Sequence, residues 1–195
     1  MAKVATYDQD SFEGRDDDVG LNVDTWNGGG GTNGNWTQDV DVNFRIRYLI
    51  QETNGGEGTL VVKAQYKHEG ADYTDITSGS AIQWATSSQY ADDDTTTQLL
   101  GAGSFVAGYG SEADNIAPDS GSVSLIANEE TEFEFVFTID SAQVSNDDII
   151  LVRLLESDGT EFLTYTNTPT ITVSGVVTTG WGMLLSDKRN RLVMT

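Results

Sequence analysis

The chain has 195 residues, 31 of them acidic and 10 basic, so its formal net charge is −21. Such an acidic chain repels nucleic acid and anionic membranes, and we expect neither as a partner. It contains no cysteine, which excludes disulfides and cysteine-ligated metal sites. Without a long apolar run or an apolar stretch near its start, the sequence predicts no transmembrane helix and no signal peptide.

The first 20 residues predict an N-terminal arm or edge strand, followed by a sandwich domain from residue 21. Phe12 is the expected anchor of this arm, and the acidic run Asp16-Asp17-Asp18 follows it. Residues 27–35 contain four consecutive glycines, which indicate a surface loop because glycine loses the most backbone entropy when it is ordered. A phosphate-binding loop would need a following helix that begins with Lys-Ser or Lys-Thr, and none follows.

Residues 43–67 predict a β-hairpin. Apolar and polar residues alternate from 43 to 52 and again from 59 to 67, and Asn54-Gly55-Gly56 is a turn signal between them. The alternation predicts an outer face with four basic side chains: Arg45, Arg47, Lys63 and Lys67. We interpret this face either as a docking surface or as cations that pair with local carboxylates.

Residues 86–121 form a long irregular segment that we expect to pack over the sandwich or to contact neighbours. A second acidic run lies within it. Clustered carboxylates are ligands that calcium prefers, although the spacing matches no EF-hand. A structural calcium ion is therefore one option, and no cofactor is the other. The candidate ligands are Asp16, Asp17, Asp18, Asp92, Asp93 and Asp94.

Residues 132–173 are the most strongly patterned part of the chain. Phe133, Phe135 and Phe137 share one face of a strand, and Glu132 and Glu134 lie on the other face, which we expect to be exposed to solvent. Residues 149–155 predict a strand that is covered on both faces, and two further strands follow. We expect an antiparallel meander that packs on a second sheet. The sequence thus predicts an all-β fold, an antiparallel β-sandwich of jelly-roll or immunoglobulin-like type.

The sandwich is expected to end at residue 174, and residues 175–195 predict an extended C-terminal arm. Residues 186–195 carry three positive charges and one negative charge, a net +2, so the other 185 residues carry −23. An apolar and basic arm on an acidic body predicts docking onto another subunit, and a final edge strand is the alternative. The residues expected to dock are Trp181, Leu184, Leu185, Lys188, Arg189 and Arg191.

The sequence offers little catalytic equipment, and we expect no catalytic residue and no enzyme. His68 is the single histidine and lies in a predicted turn. A β-sandwich glycosidase could use two neighbouring carboxylates, for which the candidates are Glu132 with Glu134, Asp39 with Asp41, and Glu129 with Glu130. A carbohydrate-binding face would need exposed aromatic side chains, for which the candidates are Trp26, Trp36, Trp84, Trp181, Tyr90 and Tyr109.

The order of several short motifs resembles β-sandwich virion proteins of tailed bacteriophages and prophages, which are found as head decoration or tail-associated components. The resemblance covers roughly residues 10–173. The positions that carry it are Phe12 and Arg15 before an Asp run, Trp26, Asn43-Phe44-Arg45-Ile46-Arg47, Gln65-Tyr66-Lys67, residues 85–90, residues 101–108, residues 128–135, Arg153, and Tyr165 with Pro169 and residues 171–173.

This resemblance implies a non-enzymatic structural or adhesive task on the virion surface. The prediction is a capsid decoration or cement protein that stabilises the head and binds the major capsid protein or other virion subunits. The resemblance also implies a homo-oligomer, which we expect to be a trimer. The alternative is a tail-associated adhesin or a carbohydrate-binding module.

Overall fold

The computed structural model describes residues 3–24, 31–111 and 120–177. Trp26 and the six predicted docking residues of the C-terminal arm lie outside these ranges. The described residues form fourteen β-strands and no helix. The strands are β1 (Tyr7–Asp16), β2 (Trp36–Asp39), β3 (Phe44–Glu52), β4 (Gly58–Leu60), β5 (Val62–His68), β6 (Thr74–Asp75), β7 (Ile82–Trp84), β8 (Ser104–Val106), β9 (Gly110–Ser111), β10 (Val123–Leu125), β11 (Glu129–Ile139), β12 (Ile149–Glu156), β13 (Thr164–Tyr165) and β14 (Thr170–Ser174).

Two large sheets make up the sandwich. The seven-stranded sheet has the order β13-β1-β3-β11-β7, and β8 and β9 also pair with β11. The five-stranded sheet has the order β2-β14-β12-β5-β6, and β4 and β10 form a separate two-stranded sheet. The long strands β1, β3 and β11 pair antiparallel, whereas several short strands pair in parallel. The all-β sandwich that the sequence predicts is confirmed.

The core lies between the two large sheets. Alternate residues of β3 and β11 point inward, as their hydrophobic period of two requires. Facing them are the apolar residues of β5, β12 and β14. The inward side chains with at most 1% exposure include Phe44, Ile46, Tyr48, Phe133, Phe135, Phe137, Val62, Ala64, Ile150, Val152, Leu154, Ile171 and Val173.

The predicted strand pairings are wrong in two places. β3 and β5 do not form a hairpin, because β3 pairs with β1 and β11 while β5 pairs with β12 and β6 in the other sheet. Likewise, β11 to β14 do not form a meander, because consecutive strands alternate between the two sheets. An apolar face can be buried equally well by a neighbour in either sheet, so alternation alone does not reveal the partner.

The predicted N-terminal arm or edge strand is largely β1. This strand lies between β3 and the two-residue strand β13, with a bulge between Gln9 and Ser11. The bulge changes which residues of β1 face inward, so that Gln9 is buried and accepts a hydrogen bond from the Leu154 N–H of the opposite sheet at 2.8 Å.

Two tryptophans seal the sides of the sandwich. Trp36 of β2 is 6% exposed and packs across Gly14 of β1, where an added Cβ would lie 2.7 Å from the indole ring. On the other side, Trp84 of β7 stacks on Phe137 with ring centroids 5.1 Å apart, and its indole N–H donates to the Ile76 carbonyl at 3.3 Å. Both rings therefore join the two sheets.

Gly14→Ala should lower the free energy of unfolding by about 2 kcal/mol, because the methyl group overlaps an indole that cannot retreat from the core. Gly79→Ala is the matched control, since nothing lies within 4 Å of a Cβ at that position. Urea unfolding monitored by tryptophan fluorescence gives the free energy of unfolding of both variants. Equal stability of the two variants would contradict the role of Trp36 as a side seal.

Candidate functional site

A layer of buried charged side chains lies on the outer face of the seven-stranded sheet. Cross-strand register places Glu13 beside Arg47 and Arg47 beside Glu134, and it places Arg15 beside Arg45. The five members that are 0% exposed are Arg15, Arg45, Arg47, Glu132 and Glu134. We call these five residues the ionic layer. The prediction that Glu132 and Glu134 face solvent is therefore wrong. Arg45 and Arg47 are buried and pair with local carboxylates, as the second interpretation of the outer face predicts.

Glu134 is the centre of the ionic layer. Its Oε1 lies 2.6 Å from Arg15 Nη2 and 3.0 Å from Arg45 Nη1, and its Oε2 lies 3.1 Å from Arg47 Nη1. Glu132 pairs with the same Arg47 through an Nε–Oε2 contact of 2.6 Å. One carboxylate thus contacts three guanidinium groups. The arrangement tolerates burial because each charge has a close partner of opposite sign.

Two chain segments cover the ionic layer, residues 16–24 and 85–111, which we call the covering segments. Arg15 donates to the carbonyls of Val23 and Leu21, each at 2.5 Å. Arg45 donates to the carbonyl of Val19 at 2.6 Å, and Arg47 donates to the carbonyl of Thr97. The arginines therefore provide hydrogen-bond donors to the backbone carbonyls of irregular segments, which have few such partners within a β-sheet.

Glu132 fastens the second covering segment from the other direction. Its Oε1 accepts the backbone N–H groups of Leu99 at 2.8 Å, Leu100 at 2.7 Å and Gly101 at 3.1 Å. The neighbouring Glu130 accepts the Gly103 N–H at 2.7 Å. The expectation that residues 86–121 pack over the sandwich is confirmed for the part of this segment that the structure describes.

The carboxylates proposed for glycoside hydrolysis are occupied with structural contacts. Glu132 and Glu134 are sealed from solvent by the covering segments. In the other pairs, Asp39 accepts the Ser174 hydroxyl at 2.5 Å, Asp41 accepts the Ser141 N–H at 3.2 Å, and Glu129 accepts the Ile126 N–H at 2.8 Å. These contacts hold turns and strand ends, and a glycosidase would need its two carboxyl groups to reach a sugar.

The two aspartate runs serve different local contacts. Asp17 Oδ1 lies 3.2 Å from Arg45 Nε and accepts the Ser87 hydroxyl at 2.6 Å, so this side chain joins the two covering segments. Asp94 caps its own turn by accepting the Ala91 N–H at 2.9 Å. Among the described residues, no three histidine, aspartate or glutamate side chains converge in a way that could hold a metal ion. Calcium binding stays a prediction.

His68 pairs with a carboxylate at the start of β12. Its Nε2 lies 2.8 Å from Asp148 Oδ2, which also accepts the Ser145 N–H at 2.9 Å. The Ser145 N–H and then the imidazole lower the pKa of Asp148. The pair ties the last residue of β5 to the turn before β12, and the predicted turn position of His68 is in fact the end of a strand.

The outer face of the five-stranded sheet is open and carries the remaining cations of the predicted hairpin. Lys63 pairs with Asp75 at 3.2 Å, which fits the interpretation that these cations bind local carboxylates. Arg153 lies between two tyrosine rings, 4.1 Å from the Tyr73 centroid and 5.1 Å from the Tyr165 centroid. Sequence reasoning did not single out Tyr73 for any role, because it precedes a two-residue strand without a visible pattern.

The candidate aromatic residues of a carbohydrate-binding face are not gathered on one surface. Trp36 and Trp84 lie on opposite sides of the sandwich. Tyr90 belongs to the second covering segment and is 9% exposed, and its hydroxyl donates to the Ser111 carbonyl at 3.3 Å. Tyr109 packs against Gly121, where an added Cβ would lie 2.6 Å from its ring. Tyr73, half-buried beside Arg153, is the described aromatic residue that best fits such a face.

A second buried carboxylate organises one end of the sandwich. Glu52 is 3% exposed and accepts four backbone N–H groups, those of Asn54, Gly55 and Gly56 at 3.0 Å and that of Asn128 at 2.9 Å. Burial raises its pKa, but the four hydrogen bonds outweigh burial and lower the pKa to about 2. Glu52 therefore joins the turn after β3 to the loop before β11.

Comparison of the chain with protein-family models, with curated proteins and with solved structures gave no match. The part of the chain that the structure describes contains no helix that could span a membrane.

Arg47→Met should lower the free energy of unfolding by about 3–5 kcal/mol, because it leaves Glu132 and Glu134 buried with fewer partners. Lys63→Met is the control at an exposed pair and should change stability by less than about 1 kcal/mol. Chemical denaturation of both variants gives the two values. A loss at Arg47 no larger than that at Lys63 would show that the ionic layer does not hold the covering segments.

The Glu52→Gln variant tests the role of Glu52 through the pH dependence of the free energy of unfolding. Because the pKa of about 2 lies below the ordinary value of 4.5, the ionised group contributes stability that is complete above pH 4.5 and is lost as pH falls towards 2. The variant should be less stable at neutral pH by on the order of 2 kcal/mol. Urea unfolding across this acidic range should show a shallower pH dependence for the variant than for the native chain. Parallel curves would contradict the assignment.

Proposed function

We propose that the chain is a non-enzymatic structural protein of a tailed-bacteriophage virion that decorates and stabilises the head as an oligomer. The resemblance across residues 10–173 supports the virion context. The ionic layer is the structural observation that most directly supports a structural task. Its buried charged groups fix two long surface segments in place, and a fixed surface is what a subunit needs to bind a lattice without a large ordering cost.

The charge distribution supports attachment through the C-terminal arm. Of the seven basic residues in the described part of the chain, three lie in the ionic layer, so few cations of the body are accessible to a partner. The arm, by contrast, carries three basic residues within its last ten positions. Contacts with another virion subunit, either the major capsid protein or a second copy of this chain, are therefore concentrated in a short segment.

A chain that lacks residues 180–195 should occupy fewer sites on the phage particle than the native chain, because the deletion removes the apolar and basic side chains expected to dock. Occupancy is measured by cryo-electron microscopy of particles that were stripped of the protein and then incubated with either form. Density for the native chain on the head lattice supports decoration. Equal occupancy of the two forms would remove the docking role of the arm.

The same images distinguish the alternative function. Density restricted to the tail would favour a tail-associated adhesin or carbohydrate-binding module, for which Tyr73 and Arg153 on the open sheet face are the first side chains to change. Density nowhere on the particle would refute a virion role.

A further inference from the structure

A groove lies at the end of the sandwich where Glu52 joins two loops. Two adjoining open depressions of about 380 Å³ each share Glu57 and Ile126 in their walls. Ile126 is 56% exposed, and Val4, which is 80% exposed, bridges to Glu57 as a short parallel pairing. We call this feature, between residues 55–59 and 124–127, the end groove.

The end groove is a preformed site with an apolar wall, and the charged side chains that line it are Glu57 and Lys3. Its two loops are fixed by the four hydrogen bonds to Glu52, so little ordering is required of them when a ligand binds. Glu57 is exposed, and Glu129 accepts the Ile126 N–H at 2.8 Å. Lys3 also lies against the groove, with its ammonium group donating to the Asn54 carbonyl at 2.8 Å. An apolar segment with basic residues would complement this surface.

The described chain ends at the opposite end of the molecule. β5 begins near the end groove at Val62, which pairs with Glu156, and it finishes at His68, which pairs with Ile150. Ile149 in turn pairs with Thr172, shortly before the end of β14. Val177 is therefore at the His68 end of the sandwich, and it is 83% exposed.

The sequence after Val177 has the chemistry that the end groove complements. Residues 178–195 contain Trp181, Met183, Leu184 and Leu185, and their three positive charges and one negative charge give a net +2. An 18-residue segment spans at most about 60 Å. The sandwich is about 30 Å long, as judged from nine residues of β3. Reaching the groove of its own body would consume about half of the segment as an extended connection, and that half contains Trp181, Leu184 and Leu185.

We propose that residues 178–195 of one copy dock in the end groove of a second copy. The segment and the groove lie at opposite ends of the molecule, so the contact joins different surfaces of the two copies and is heterologous. Successive contacts of this kind form a ring when the last copy meets the first. The basic segment also offsets repulsion between bodies that each carry a strong negative charge. This contact would hold together the oligomer of the proposed function, on which the inference rests. It can be tested on the purified chain without the particle.

Sedimentation velocity of the full chain over a range of concentrations tests the proposal. The native chain should associate, whereas Ile126→Asp and a chain without residues 178–195 should sediment as monomers. Val23→Asp is the matched control, because Val23 is 44% exposed on a covering segment away from the end groove. It should associate like the native chain. Circular dichroism of each variant verifies that it is folded, and Glu57→Lys provides a second groove variant that should also reduce association.

A synthetic peptide of residues 178–195 identifies the receptor directly. Its Trp181 fluorescence should report binding to the truncated chain, and Ile126→Asp in that chain should weaken binding at least tenfold. A monomeric native chain, or association that Ile126→Asp leaves unchanged, would overturn the proposal. Peptide binding to the truncated chain but not to a monomeric full chain would place the segment in its own groove, which also overturns it.

These outcomes are separate from those of the proposed function. Association of the purified chain without density on the particle would retain the end-groove contact and refute the virion role. Density on the head from a chain that is monomeric in solution would retain the virion role and refute the end-groove contact.

Discussion

Three buried arginines and their partners Glu132 and Glu134 organise the outer face of the seven-stranded sheet and the two segments that cover it. The seven-stranded sheet has two buried faces, one apolar and one ionic. Charged side chains can occupy the second face only because the covering segments exclude water, while their carbonyl groups accept from the arginines and their N–H groups donate to Glu132. The covering segments in turn have little regular secondary structure, so their order depends on the same side chains.

Burial of the ionic layer carries a desolvation penalty, and it also gives the covering segments one defined arrangement. An apolar layer of the same volume could match or exceed the stability of the ionic layer, because burying ions carries a large desolvation penalty. Hydrogen bonds are directional, however, and an arginine that donates to named carbonyls fixes one arrangement of a loop where apolar contact would permit several. The result is a long irregular surface with a defined shape, which is the property that a lattice-bound structural protein requires.

Glu52 applies the same principle at the end of the sandwich. It is one carboxylate, and the N–H groups of two separate loops converge on it. The end groove therefore exists as a shaped surface before any partner arrives. Its position opposite the exit of the chain makes the two ends of the molecule chemically different. A head-to-tail contact between copies is the simplest use of such polarity, and the proposed head decoration would place that contact within a ring of subunits.

Particular residues show how far sequence reasoning extends. The period-two alternation of Phe133, Phe135 and Phe137 correctly predicts a strand with one face in a β-sandwich core, because a strand places alternate side chains on opposite faces whatever its neighbours are. The same alternation in β3 and β5 wrongly predicts a hairpin. An apolar face can be buried across the sandwich as well as by a neighbour in the same sheet, and the chain after β3 passes through β4 before it enters the other large sheet as β5.

The all-β class, the core strands and the contrast between an acidic body and a basic C-terminal segment can all be read from the amino-acid sequence. The burial of Glu132, Glu134, Arg45 and Arg47 becomes visible only in the folded chain. Their pattern on the strands is the same for a solvated face and for a covered one, because alternation specifies the side of the sheet but not what lies above it. The covering segments come from distant parts of the chain, and their contacts with the sheet are set by three-dimensional complementarity that local pattern does not encode.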